Sequence, residues 1–405
     1  MALNSWAFLL LAGLAVFFLP LTRGSVKAGL FLTLNVVFVA SYWPPAGIAI
    51  AVGFCTLGYL CARWVRIRGT GSLAASLMAL TVLFLSIRGF RATGLALGSA
   101  TTPALIGIAG LSFLFFKVVH VVIDSASGTI EALPPERYFN YCLNFTTVLM
   151  GPIQRYQDFS RQWTGEAPAM APTFEAHLDA TNRVLRGMVK AFVIAPHLQP
   201  YILRPGLPID RMAAGDLFVM VYAFYVFLYF DFSGYCDIVI GIGSLMGIRP
   251  PENFYIPFLS RNVSAYWLRV HRSLTLWLTD YIFTPSYTFA IRSATLGSRP
   301  FLALAASLIL TMLIAGAWHG TTPNFIAFGL VHGIGLVLVR GYESVMVQWL
   351  GRRRFRVFTA HPVTSTVAVM LTYNFTSLAY TFFVLDVHES IRVFRRLTLA
   401  LGWMR

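Results

Sequence analysis

The 405-residue chain is 57% hydrophobic and only 12% charged, which excludes an ordinary soluble protein. Its 31 Lys and Arg residues outnumber 16 Asp and Glu residues, giving a formal net charge of +15 at pH 7. In so apolar a chain, this basic excess favours contact with anionic lipid headgroups over nucleic-acid binding. The four cysteines lie in or beside apolar stretches without metal-ligand spacing, so neither a disulfide framework nor a zinc site is predicted.

Apolar runs of membrane-spanning length recur along the chain, because a helix crosses a bilayer core with roughly 20 apolar residues. The predicted spanning regions are Met1–Thr22, Ala28–Ala62, Gly69–Ile87, Ala92–Phe116, Leu217–Phe230, Pro300–Trp318, Pro323–Val339 and Pro362–Leu385, with a poorer one at Arg183–Leu203. Pro44 and Pro45 divide the longest run into a predicted helical hairpin, since proline lacks an amide donor. The fold class predicted is therefore all-α, a polytopic membrane protein with about 9–11 transmembrane helices plus re-entrant or interfacial helices around a central thinned cavity.

The distribution of basic residues predicts the direction of these spans. The loops around Arg23, Arg66 and Arg352–Arg356 are rich in Arg and Lys and are expected on the cytoplasmic side. The turns Ser41–Pro45 and Gly320–Thr322 are then expected outside. We predict three regions: N-terminal spans over 1–123, a central core with cytoplasmic and re-entrant segments over 124–299, and C-terminal spans over 300–405.

Apolar residues recur at spacings of three and four over Asn262–Pro285, which predicts one amphipathic helix. His271 lies on its apolar stripe with Trp267 and Leu274, whereas Arg269 and Arg272 lie off the stripe. Two interpretations fit this pattern: His271 serves a functional cavity, or it packs within a helix at the membrane surface.

His319 ends the apolar run Phe301–Trp318, where an ionisable side chain is costly unless it lines a polar cavity. A neutral imidazole at such a place can accept a proton from a hydroxyl group, as a general base does. The alternative is a buried histidine that donates to a backbone carbonyl. His332 is interpreted as a helix-packing residue.

Asp231 and Asp237 flank Phe232–Tyr235, which we interpret as a break between two apolar segments. Carboxylates at membrane depth are typical of a proton relay, and they also cap helix ends. The residues alone therefore fit a transporter as well as an enzyme.

Several stretches together resemble the bacterial branch of the membrane-bound O-acyltransferase family. They are G-P-I-Q-R-Y at Gly151–Tyr156, D-F-S-G-Y-C-D at Asp231–Asp237, P-E-N-F at Pro251–Phe254, W-L-R-V-H-R-S-L at Trp267–Leu274, W-H-G at Trp318–Gly320 and V-H-G at Val331–Gly333. The chain length is similar to that of the D-alanyl transferases of teichoic acid modification, and the motif wording also resembles alginate and other polysaccharide O-acetyltransferases. One departure is Thr284–Phe289, where the acetyltransferase branch usually has a G-G-N-R-like stretch.

The resemblance implies roles for individual residues. His319 corresponds to the family's catalytic histidine and His271 to its second conserved polar position. The remaining motif residues are expected to bind substrate, namely Trp318, Trp267, Asn253 and Arg155. Arg269 and Arg272 are expected to bind the phosphates of the acyl donor, with anionic-lipid contact as the alternative.

The function implied is transfer of an acetyl or other short acyl group to a hydroxyl of an exported cell-surface polysaccharide or partner protein. The donor expected is a cytoplasmic thioester, either acyl-CoA or an acyl-carrier protein, with no tightly bound cofactor and no metal. Expected partners are membrane lipids, the donor carrier and an extracytoplasmic acyltransferase or polymer partner, and no nucleic acid. The expected location is the bacterial cytoplasmic (inner) membrane, and the rival function is a proton-coupled transporter built on His319, Asp231 and Asp237.

Overall fold

A computed structural model describes residues 6–87, 110–167, 173–320 and 322–400, and these ranges contain helices and irregular segments but no strand. The helices are α1 Trp6–Phe18, α2 Gly24–Tyr42, α3 Pro45–Arg68, α4 Leu73–Ile87, α5 Leu111–Ala126, α6 Pro135–Leu143, α7 Tyr156–Thr164, α8 Phe174–Met188, α9 Ala195–Leu198, α10 Ala214–Leu245, α11 Val263–Trp267, α12 Arg272–Leu278, α13 Thr284–Arg292, α14 Pro300–His319, α15 Pro323–Ala360, α16 Pro362–Ala379, α17 Thr381–Val384 and α18 Val387–Ala400.

Six helices in the described ranges are long and apolar enough to cross a membrane. They are α2, α3, α10, α14, α15 and the continuous stretch Pro362–Val384. Phe8–Phe18 and Leu73–Ile87 are apolar but shorter. The all-α, polytopic membrane architecture is thereby confirmed. Most of the predicted span Ala92–Phe116 lies outside the described residues. The predicted number of spans therefore stays a prediction.

The predicted hairpin is confirmed at its two prolines. Helix α2 ends at Tyr42, and α3 begins with Pro45 in its first turn, where a missing amide donor costs nothing. Pro44 precedes this turn in an extended conformation. The two prolines therefore end one apolar helix and start the next.

The predicted break at Phe232–Tyr235 is wrong. Helix α10 runs without interruption from Ala214 to Leu245, through both Asp231 and Asp237. Gly234 alone does not end a helix in an apolar setting, because no water competes for the backbone hydrogen bonds there. Neither aspartate caps a helix end.

The chain divides into two compact units. Unit 1 comprises Met1–Met188 and Tyr235–Glu252, and unit 2 comprises Val189–Gly234 and Asn253–Arg405. The three-region division expected from the sequence stays a prediction.

Unit 1 holds the G-P-I-Q-R-Y segment through a buried polar network. The amide of Tyr156 donates to Nε2 of His120 over 3.2 Å, and the hydroxyl of Tyr141 donates to the carbonyl of Gln154 over 2.7 Å. Nδ1 of His120 lies 3.3 Å from a carboxylate oxygen of Asp124. Nε2 of His120 also lies 2.8 Å from the hydroxyl oxygen of Tyr141. The segment is thus fixed on both sides of position 155.

Unit 2 is organised around the antiparallel pair α14 and α15. A Cβ added to Gly316 would meet the carbonyl oxygen of Phe325 and lie 3.2 Å from Cα of Gly329. A Cβ added to Gly329 would meet the carbonyl oxygen of Met312. Glycines at these positions allow the two backbones to approach closely, which is a common device in membrane helices.

Candidate active site

The segment after Asn262 runs beside helix α15, and both belong to unit 2. At its start, the side-chain amide of Asn262 donates to Glu343 over 3.5 Å. Further on, Nε1 of Trp267 donates to Nδ1 of His332 over 3.3 Å. Glu343 and His332 are eleven residues apart on α15, which corresponds to about 16 Å along the helix axis. The segment therefore runs beside a candidate spanning helix over this distance, and its predicted re-entrant course stays a prediction.

The single amphipathic helix predicted over Asn262–Pro285 is wrong. Helix α11 ends at Trp267, α12 begins only at Arg272, and a π-helical turn over Thr279–Phe283 follows it. Between α11 and α12, His271 has φ 43° and ψ 45°, the left-handed region that non-glycine residues rarely adopt. The apolar stripe nonetheless stays inside, because Trp267, Leu274 and Leu278 are all buried.

His271 lies at the turn between α11 and α12 and is 7% exposed. Its ring packs edge-on against Phe232, with centroids 4.9 Å apart, and against Trp318 at 6.2 Å. His271 lies outside the six candidate spanning helices. Burial, together with the charge of His319, lowers its pKa to about 3. The imidazole of His271 is therefore neutral at physiological pH and close enough to His319 to interact with it.

His319 is the last residue of α14 and is partly exposed. Its ring centroid lies 4.5 Å from that of Trp318 and 4.9 Å from that of Phe383, with Phe328 at 6.2 Å. His319 thus stands at a helix end among aromatic side chains and keeps part of its surface exposed. Such a setting suits a group that exchanges a proton with a bound molecule.

Trp267 is anchored by His332, whose side chain is fully buried. The imidazole of His332 accepts the indole N–H of Trp267 and packs against Phe328 at 4.6 Å and Phe375 at 5.5 Å. His332 thus packs within the helices, consistent with its predicted role. The indole N–H of Trp267 is directed at a protein side chain.

A cavity of about 630 Å³ adjoins the segment after Asn262. Its lining combines two arginines and an aromatic ring with aliphatic side chains, namely Arg269, Arg272, Tyr255, Ile256, Leu259, Ala265 and Leu268. The guanidinium of Arg272 lies 5.6 Å from the ring centroid of Tyr255. His319 is not among the residues that line this cavity. The arrangement suits an anionic head attached to an apolar or flexible arm.

The other two residues expected to bind substrate occupy different places. Asn253 is fully buried in unit 2, where its side-chain oxygen accepts hydrogen bonds from Ser273. Arg155 belongs to unit 1 and precedes α7, between the two residues that Tyr141 and His120 hold. Unit 2 thus brings together His271, Trp318 and His319, while Arg155 lies in the other unit.

Sequence reasoning missed several residues of this site. Phe232, Phe383 and Tyr255 contact His271, His319 and Arg272 respectively, yet each comes from a distant part of the chain. Two of them carried a signal, because Phe232 lies within the D-F-S-G-Y-C-D motif and Tyr255 directly follows the P-E-N-F motif. Apolar aromatic residues in an apolar chain otherwise give no local indication of which site they join.

Comparison with known proteins agrees with this geometry. The model of the membrane-bound O-acyltransferase family matches residues 56–382. A teichoic acid D-alanyltransferase of Bacillus subtilis is 29% identical over 286 residues, covering 69% of this chain and 69% of that protein. A teichoic acid D-alanyltransferase of Streptococcus thermophilus is 30% identical, covering 58% of each chain. A probable alginate O-acetylase AlgI of Pseudomonas fluorescens is 31% identical, covering 56% of this chain and 44% of that protein.

The family match covers most of the chain and includes the His271 and His319 regions. The chain therefore belongs to the membrane-bound O-acyltransferase family and is an acyltransferase by class.

Proposed function

We propose that the protein transfers a short acyl group, such as acetyl or D-alanyl, from a cytoplasmic thioester to a hydroxyl of an exported cell-surface polysaccharide or its partner protein. One observation carries the proposal: the segment after Asn262 brings His271 against Trp318, next to His319, and the arginine-lined cavity lies along the same segment. The relatives' names support the acyl groups and the polymer class. All the relatives named are bacterial, which supports a multi-pass protein of the bacterial cytoplasmic membrane.

The proposed chemistry needs one base and one hydrogen-bond donor. His319 takes the proton of the acceptor hydroxyl while that oxygen attacks the thioester carbonyl. The neutral ring of His271 donates an N–H to the developing oxyanion, which a poorly hydrated site stabilises strongly. The carbon–sulfur bond then breaks, and the proton passes from His319 to the departing thiolate. An ester and a free thiol result, and both histidines regain their starting state.

The donor's phosphate is proposed to lie between Arg269 and Arg272. Both CoA and a phosphopantetheine arm combine phosphate with a flexible chain, which matches the charged and aliphatic walls of the cavity. The closed reaction cycle above requires no tightly bound cofactor. No metal takes part in these proposed steps.

The double variant Arg269→Gln/Arg272→Gln is expected to raise the KM for the thioester donor by roughly tenfold or more, because charge-assisted hydrogen bonds to phosphate are lost. The kcat should change far less, since neither arginine contacts the reacting carbonyl in this proposal. Thiol release from acetyl-CoA and from an acylated carrier protein measures both constants. Arg261→Gln is a matched control, because Arg261 is exposed on the same segment but does not line the cavity. An unchanged donor KM in the double variant would contradict the assignment.

Labelling of single cysteines tests the direction of the spans. The four native cysteines are buried, so an introduced cysteine should dominate the reaction with a thiol reagent. Arg353→Cys is expected to react only when a charged reagent reaches the cytoplasm, and Ser41→Cys is expected to react from outside in intact cells. The reverse pattern would overturn the predicted topology and with it the cytoplasmic donor.

Anionic membrane lipids are the partners proposed for the end of α15. This helix bends at Gly351, where φ is 74°, and continues with Arg352, Arg353, Arg354 and Arg356 exposed. No ion pair of the described residues involves these four guanidinium groups, whereas Arg340 is paired with Glu343 and Arg392 with Asp210. Unneutralised arginines beside the exposed Trp349 are typical of a lipid headgroup contact.

A second partner is proposed on the outer side of the membrane, where the acceptor hydroxyl is expected. It is an extracytoplasmic acyltransferase or the polymer itself.

Transport is the less favoured function. Asp237 accepts a hydrogen bond from Nε of Arg183 over 3.0 Å, and the same guanidinium binds Glu252. Burial by itself would raise the pKa of Glu252, but Arg183 and Arg249 outweigh it and lower this pKa. A carboxylate held in such an ion-pair network is poorly suited to carry protons.

A further inference from the structure

The backbone of His271 needs an external support. A non-glycine residue in the left-handed region is strained, and this conformation persists only where the surroundings impose it. His271 also occupies the position before α12 where a side chain often caps the helix, yet its ring makes no capping hydrogen bond. Something else must satisfy the first amides of α12 and fix the turn.

The support comes from the segment Asn253–Tyr255, which runs beside the turn. The carbonyl of Asn253 accepts the amide of Arg272 over 3.0 Å, and the amide of Tyr255 donates to the carbonyl of Arg269 over 2.9 Å. These two backbone hydrogen bonds bracket His271 on both sides. Phe254, between them, packs against Phe232 at 5.2 Å, and Phe232 in turn packs against His271.

The side chain of Asn253 completes this support. Its Oδ1 accepts the backbone amide of Ser273 over 3.0 Å and the hydroxyl of Ser273 over 2.8 Å. Asn253 therefore caps α12 from outside the helix, in place of the side chain that His271 does not offer. Its side chain is fully buried and is not among the residues that line the cavity.

We propose that Asn253 is a positioning residue, which holds His271 in its left-handed conformation with the ring against Trp318, and that it does not contact substrate. This inference rests on the proposed function only where kcat and KM of acyl transfer are measured. The conformation of the turn can be tested without any acyl transfer.

The two roles of Asn253 differ in the atoms they need. Positioning uses Oδ1 as an acceptor, and an aspartate in the same place keeps both of its bonds to Ser273, at the N-terminal end of a helix where a carboxylate is favourable. A substrate contact through the amide group would need the N–H donors, which aspartate lacks. Alanine offers neither the Oδ1 acceptor nor the N–H donors.

Asn253→Ala is expected to lower kcat by roughly 10- to 100-fold, because a displaced catalytic group loses its alignment. The KM for acetyl-CoA should change by less than about threefold, and Asn253→Asp should keep most of the wild-type kcat. Equal loss in the alanine and aspartate variants, with a raised KM for donor or acceptor, would overturn the proposal in favour of substrate binding.

Asn262→Ala is the matched control for loss of a cap. Asn262 caps α11 by accepting the amide of Ala265 over 2.7 Å, on the same segment but at the end remote from His271. Its replacement should lower thermal stability about as much as Asn253→Ala does, yet leave kcat near the wild-type value. A kcat loss equal to that of Asn253→Ala would show that general loosening of the segment is responsible, and would overturn the positioning role.

Cysteine accessibility at position 271 supplies the independent readout. His271→Cys should react slowly with a water-soluble maleimide, because the position is buried. Adding Asn253→Ala should raise the labelling rate by roughly tenfold or more as the turn opens, whereas adding Asn253→Asp or Asn262→Ala should not. Unchanged labelling with Asn253→Ala would refute the support. Absence of acyl transfer in the wild type with both thioester donors would refute the proposed function and leave this result standing.

Discussion

His319→Ala is expected to reduce acyl transfer by roughly 10²- to 10⁴-fold, the usual contribution of a general base. The alanine side chain cannot take the hydroxyl proton, and no other described histidine occupies the same helix end. His319 is partly exposed, and the close backbone contacts between α14 and α15 are made at Gly316 and Gly329, so its replacement should leave them in place. Single-turnover thiol release from acetyl-CoA and from an acylated carrier measures the effect on chemistry directly.

Two comparisons make this result specific. His388→Ala changes an exposed histidine of the same unit and should leave turnover unchanged. His319→Gln keeps a polar side chain of similar size but offers no basic nitrogen, so it should be as inactive as the alanine variant. Near-normal turnover in folded His319→Ala protein would remove His319 from the catalytic role.

The helical architecture was predictable because it depends on local, one-dimensional patterns. Apolar length identified α2, α3, α14 and α15, and the prolines at 44 and 45 placed the hairpin turn correctly. Motif residues were also predictable as a group, since His271, Trp318 and His319 come together in unit 2. These signals need no knowledge of tertiary contacts.

The conformation of the site was not predictable, because it depends on contacts between distant segments. The spacing of Trp267, His271 and Leu274 fits a continuous helix, and nothing local shows that Asn253 caps α12 from elsewhere. The same holds for Asp231, which follows an apolar run as a helix end would, although α10 continues past it. Periodicity records which side chains are buried, but it does not record where the backbone leaves the helix.

The geometry of the candidate site depends on how closely α14 and α15 approach. His319 ends α14, and His332, which anchors Trp267, lies on α15. The distance from His271 to the Trp318–His319 pair is therefore set by the packing of these two helices. Gly316 and Gly329 face each other across this contact, with backbone atoms on both sides.

Gly329→Ala is accordingly expected to destabilise the protein by about 3 kcal/mol, the upper part of the range for an overpacked site. The added methyl group would meet the carbonyl oxygen of Met312 and lie 3.2 Å from Cα of Leu313, and backbone atoms of a helix cannot rotate away as a side chain can. Gly341→Ala is the matched control on the same helix, because its methyl group would meet only the ring of Phe301 at an ordinary 3.4 Å. That variant should be neutral or more stable by about 0.5–1 kcal/mol, since alanine favours the helix more than glycine does. Thermal unfolding in detergent measures the stability of both variants. Thiol release below the unfolding temperature should show a lowered kcat for Gly329→Ala alone, because moving the two helices apart also moves Trp267 away from His319. Equal stability and equal kcat in the two variants would show that the close approach of α14 and α15 does not position the histidines.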